Sequence, residues 1–191
     1  MGSTENSKMT MIKKIEFTGF DWIDFDFLPD SNASKVEMYS QTPFMATNFL
    51  GDFKKIFDAE NKEIVIGQFG KNAKWGDFCM DVWDINKDEY NYELNGKSPE
   101  TVEYLQMLRE NNIEFSYTGY CSCTDWDSFL IVVFNCVMKQ VAPYSMIFYD
   151  ESNKLFFYFH HTSSFGLYFQ DYHKASKIIQ NAIRNGYKVD G

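Results

Sequence analysis

The chain has 191 residues, 45% of them hydrophobic and 18% aromatic, with 27 acidic side chains against 18 basic ones and a net charge of −9. Four prolines and 11 glycines exclude a fibrous or low-complexity class, and the apolar share is enough for one sizeable core. The acidic balance, heaviest in the N-terminal half, excludes general nucleic-acid binding, which rests on Lys and Arg, and suits a basic partner.

In chain order, residues 1–11 read as a polar flexible tail with no apolar signal region, and 12–191 as a single domain. Ile15 and Phe17 alternate with charged residues, as in a strand. The stretch Phe20–Leu28, if extended, places Trp22, Asp24 and Asp26 on one face, and Pro29-Asp30-Ser31-Asn32 is a turn. Thr42-Pro43 opens a helix whose stripe is Met45, Phe49, Phe53 and Phe57. Glu63–Phe69 is a short β-branched strand. Asp77–Ile85 alternates, with Phe78, Met80 and Val82 on one face and Asp77, Cys79, Asp81 and Trp83 on the other.

Ser98-Pro99 starts a second helix with Val102, Leu105 and Leu108 inward, ending near Asn111-Asn112, and Ile113–Tyr117 reads as a strand. Thr124 is the expected N-cap of a buried helix reaching about Gln140. Tyr144–Tyr149 and Leu155–His160 form a hairpin around Asp150–Lys154, and Phe165–Phe169 is a third strand. Asp171–Asn185 is an amphipathic helix with Ala175, Ile178, Ile179, Ala182 and Ile183 inward and Gly186 as its C′ residue. These elements predict an α+β fold, a mixed or mainly antiparallel sheet with about four helices packed on it.

Three sets of residues suggest chemistry. Cys121 and Cys123 before a helix, with His160 or His161 downstream, follow the chain order of a papain-like cysteine hydrolase, without that family's motif. The same four residues have the ligand types for zinc but the wrong spacing, so neither a metal nor another cofactor is expected. Paired carboxylates, Asp24 with Asp26, Asp77 with Asp81 and Asp125 with Asp127, are ordinary solvated pairs except for their tryptophan neighbours.

Those neighbours carry the strongest signal. Asp77, Asp81, Asp84, Asp88, Glu89 and Glu93 face a single base, Lys87, with Trp83, Tyr90 and Tyr92 interleaved. Aromatic anchors ringed by like charge have the composition of a protein interface. The expected partner-binding residues are Asp77, Asp81, Trp83, Asp84, Trp22, Asp24 and Asp26.

The C-terminal third contains Tyr144-Ser145-Met146-Ile147-Phe148, Leu155–Thr162 and Phe165-Gly166-Leu167-Tyr168-Phe169. This hairpin, strand and helix pattern resembles immunity proteins of bacterial polymorphic and contact-dependent toxin systems. The resemblance implies a small cytoplasmic protein that binds a cognate toxin, commonly a nuclease, and covers its basic active-site cleft. The net acidity argues against a nucleic-acid partner, and the longest apolar run, Phe129–Phe134, is too short to span a membrane. The resemblance transfers no contact residue, because such families vary at the contact surface.

Overall fold

The computed structural model describes residues 11–41, 46–59, 62–68, 80–139, 146–160 and 164–191. Among these residues, eight strands form one antiparallel sheet: β1 (Ile12–Ile15), β2 (Ser34–Ser40), β3 (Ile64–Gln68), β6 (Tyr120–Cys123), β7 (Met146–Asp150), β8 (Leu155–His160), β9 (Ser164–Phe169) and β10 (Tyr187–Asp190). Their spatial order is β1-β6-β3-β7-β8-β9-β2-β10, and β4 (Trp83–Asp84) with β5 (Glu89–Tyr90) makes a separate hairpin. Among the described residues, four helices complete the α+β fold: α1 (Ala46–Phe57), α2 (Pro99–Glu110), α3 (Trp126–Met138) and α4 (Tyr172–Arg184). None is long and apolar enough to cross a membrane.

The helices start where local chemistry supplies caps. The Ser98 hydroxyl accepts from Thr101 N–H at 3.3 Å with Pro99 in the first turn, and Asp171 accepts from His173 N–H at 2.9 Å. Gly186, at φ +81°, provides the left-handed residue that ends α4. The α3 cap is Asp125, accepting from Ser128 N–H at 3.3 Å, one residue beyond the expected Thr124. Thr42-Pro43 lies outside the described residues, but Phe53 and Phe57 of that stripe, and Ile56 beside them, are buried.

Helices cover one face of the sheet. Phe53 and Phe57 of α1 pack on Phe148, Phe157 and Phe165, and Phe57 stacks on Phe157 with centroids 3.9 Å apart. The other face is also closed. The connection from β1 at one edge to β2 near the other crosses beneath the sheet and lays Phe17, Phe20, Trp22 and Leu28 over Tyr149, Phe156 and Tyr168. Central strands are therefore buried on both sides, and β7 and β9 are buried at every residue, which explains their unbroken apolar runs.

Three expectations need correction. Phe20–Leu28 is not extended; it folds into turns, because its aromatic residues have a sheet face to cover. Ile113–Tyr117 forms no strand; Asn112 at φ +57° turns the chain, and the strand follows at β6, between β1 and β3. Ile183 is 57% exposed rather than inward. Strands β2 and β10 were not anticipated, since each is polar on its outward face and gains its status only from pairing with β9 and with each other.

Candidate functional site

The acidic segment around Trp83 becomes a small projection at the start of α2. Residues Met80–Val82 form a 3₁₀ turn, after which β4 and β5 pair Trp83 with Tyr90 and Asp84 with Glu89. The turn between them is made by local side chains: Asp84 accepts from Asn86 N–H at 3.0 Å, and Asp88 adopts φ +55°. Lys87 lies 3.7 Å from both Asp84 and Glu89. Buried Val82 fastens the base of the projection into the helix-side core.

The 3₁₀ turn rotates Asp81 away from Trp83, so the expected shared face does not exist. Asp81 points to the start of α2, where its carboxylate accepts from Ser98 N–H at 2.8 Å and the Thr101 hydroxyl at 2.9 Å. Lys97 adds a bond to the Asp81 carbonyl at 2.7 Å. Burial works against the charge, but these donors and Lys97 outweigh it and hold the carboxyl below its usual range. Asp81 positions the hairpin. Asp77 lies outside the described residues.

Trp83 faces outward, 42% exposed, edge-on to Tyr90 at 4.9 Å. Tyr90 stacks on Tyr92 and Tyr92 leans on Phe115, an aromatic row that braces the tryptophan from behind. Ile85 at the tip is 81% exposed. Trp83, Asp84 and Ile85 line an open groove of about 540 Å³ together with Asn91, Asn95 and Lys97. Ile85 was missed in the sequence, although an isoleucine beside the turn residues Asn86-Lys87-Asp88 has no strand neighbour to bury it.

The other expected anchor sits elsewhere. Trp22 is half-buried between Phe20 and Phe156, stacked on both, in the core on the opposite face of the sheet from Val82. Asp24 accepts from Asp26 N–H at 2.8 Å and Phe27 N–H at 2.9 Å, and its own N–H donates to the Ser31 hydroxyl at 2.8 Å. Asp24 thus shapes the covering loop, while Asp26 is exposed. The sheet separates this set from the hairpin. Of the third carboxylate pair, Asp125 caps α3 and Asp127 pairs with Lys54.

Cys121 and Cys123 lie just before α3, as expected, but on strand β6 and wholly buried on the helix side. Burial pushes the Cys121 thiol up to about 12, only weakly opposed by Lys14, and raises Cys123 as well. Paired registers put Cys121, Ile66, Phe148 and Phe157 on one face, whereas His160 shares the opposite face with Phe156 and Tyr158. With β8 three strands from β6, lateral separation adds roughly 14 Å. A Cys–His pair with His160 is geometrically closed, and His161 lies outside the described residues. An alkylating reagent is therefore expected to label Cys121 and Cys123 on the order of a thousandfold more slowly in the folded chain than in denaturant. Mass mapping of labelled peptides over time measures this; rapid native labelling would contradict it.

Among the described residues, no group of three or more His, Cys, Asp or Glu side chains could hold a metal ion. Comparison with protein-family models, with curated proteins and with solved structures returns no match for this chain.

Proposed function

We propose that this chain is a binding protein that neutralises a cognate bacterial toxin by covering a basic active-site cleft, and that the β4–β5 hairpin makes the contact. One observation carries the reading: Trp83 and Ile85 stand in water at the tip of a braced projection flanked by Asp84, Asp88, Glu89 and Glu93. A solitary exposed apolar residue is ordinary, but two together on a rigid acidic hairpin form a small anchor with steering charge around it. The toxin identity of the partner rests on the resemblance of the C-terminal third; the basic character of its cleft rests on the net charge of −9.

The mechanism is steric and electrostatic. Carboxylates on the hairpin pull in a surface evolved for polyanionic substrate, and Trp83 with Ile85 seals it once docked. Asp81 acts through the hairpin it fastens, and Trp22 with Asp24 belongs to the loop that closes the far face of the sheet. The reading places the protein in the cytoplasm, where its thiols stay reduced.

The test is co-expression with the toxin encoded beside it, followed by titration of the purified pair. Replacing Trp83 with Ala and Ile85 with Asp is expected to weaken binding by about 2–4 kcal/mol, roughly 30- to 1,000-fold, with the melting temperature unchanged. Rising salt is expected to slow association. Protection that survives the double substitution would overturn this surface.

A further inference from the structure

We infer that the chain pairs with a second copy of itself through β10, continuing the eight-stranded sheet across a two-fold axis at Val189. Strand β10 is bonded to β2 along one side only, and no strand covers its other side among the described residues. An open row of backbone N–H and C=O groups is a template for another strand. Edge strands are blunted by shortness, charge, Pro or bulges. Strand β10 is short and charged, but it has no Pro or bulge, and its two charges, Lys188 and Asp190, are of opposite sign, so they oppose pairing only in some registers.

The charges select the register. In antiparallel self-pairing about a two-fold axis, residues that oppose each other must share a face of the sheet, so the axis passes through a residue and not between two. An axis at Lys188 sets lysine against lysine. An axis at Asp190 sets aspartate against aspartate. An axis at Val189 sets each Lys188 against the other copy's Asp190, twice, with Val189 opposite Val189. Lys188 and Asp190 already pair along their own strand at 2.8 Å, so the junction would form a four-charge cluster of alternating sign.

Helix α4 offers a matching apolar flank. Its Asn181 amide donates to the Lys55 and Ile56 carbonyls and Lys177 pairs with Asp58, which defines the side of α4 that faces α1. Ile183 is two residues from Asn181, about 200° further round the helix, and so lies on the side away from α1. Tyr172, eleven residues earlier, is about three turns away on that same side. They are 60% and 57% exposed for Tyr172 and Ile183, respectively. Because α1 sits over β7 to β9 and α4 packs beside β10, this flank overhangs the open edge. A two-fold junction at β10 brings the two α4 helices side by side and covers both residues. The pairing is independent of the hairpin, which is built on the start of α2.

Sedimentation equilibrium over a concentration series reaching high micromolar is expected to show a species of twice 22.4 kDa. Lys188→Asp opposes aspartate to aspartate at both pairs and is expected to raise the dimer dissociation constant by at least about tenfold. The double swap Lys188→Asp with Asp190→Lys restores the alternation and is expected to restore the dimer, which separates lost pairing from lost folding. Val189→Cys is expected to cross-link to its own counterpart under mild oxidation, since directly opposed strand residues meet disulfide geometry. A monomer at every concentration, a dimer indifferent to Lys188→Asp, a swap that fails to restore it, or no Val189→Cys cross-link would each overturn the inference.

Discussion

Asp150→Ala is expected to lower the unfolding free energy by about 3 kcal/mol, the lower end for breaking a buried ion pair because Lys62 remains partly in water. Asp150 ends β7 and is only 4% exposed. Its carboxylate accepts from Lys62 Nζ at 2.7 Å, from the Ser152 hydroxyl at 2.6 Å, and from Asn153 through the backbone at 3.1 Å and the side chain at 2.7 Å. Alanine would strand Lys62 and open the turn that joins β7 to β8. Burial by itself would raise the Asp150 pKa; Lys62, Ser152 and Asn153 outweigh it and keep the carboxyl below its usual value.

The sign of the pH dependence follows from that depression. A carboxylate held below its unfolded pKa contributes its full stabilisation above about pH 4 and loses it as pH falls through the folded value. Wild type is therefore expected to lose stability through this group in strong acid, and Asp150→Ala to show a shallower acid limb. Urea titrations at neutral pH and along an acid series measure both. Equal stability of variant and wild type at neutral pH would show that the pair carries no net stabilisation.

Phe53→Ala is expected to cost about 3–5 kcal/mol, a large part of a single domain's margin. The ring is 1% exposed and lies within about 6 Å, centroid to centroid, of Phe57, Trp126, Phe148, Phe157 and Phe165. It is where α1, α3 and three sheet strands meet, so removing it leaves a cavity bounded by rigid rings from several elements. Those rings cannot collapse together without moving the helices off the sheet. Phe53→Leu is expected to recover more than half of the loss. Chemical denaturation checks both, and a Phe53→Ala loss below about 1 kcal/mol would mean that the core relaxes freely.

The hairpin prediction depends on which apolar residues face water, and here the two tryptophans diverge. Both have acidic neighbours two residues away, and strand alternation treats them alike. Trp22 is absorbed because the chain between β1 and β2 must cross a sheet face already lined with Tyr149, Phe156 and Tyr168. Trp83 stays out because Val82 takes the inward position and a 3₁₀ turn redirects Asp81 into the cap of α2. Neither outcome has a local signal. Both depend on surfaces supplied by residues more than a hundred positions away or on the far side of a turn.

Much else was local and therefore readable. Ser98-Pro99, Asp171 and Gly186 act within a few residues of themselves, so the bounds of α2 and α4 follow from capping chemistry. The Asp150–Lys154 turn, the apolar runs of β7 to β9 and the α+β class follow likewise from short-range pattern. Strands β2 and β10 were hidden because a polar-faced strand is stabilised by its neighbours' backbones, and β6 because its four buried residues, Tyr-Cys-Ser-Cys, show no strand pattern of their own; pairing across the sheet leaves little trace in the residues that pair. Charge, capping and apolar period were thus determined by the sequence alone. Which side chains share a face, which cysteine could meet which histidine, and which tryptophan reaches water were decided only by the tertiary structure, because each is a relation between segments brought together by the sheet.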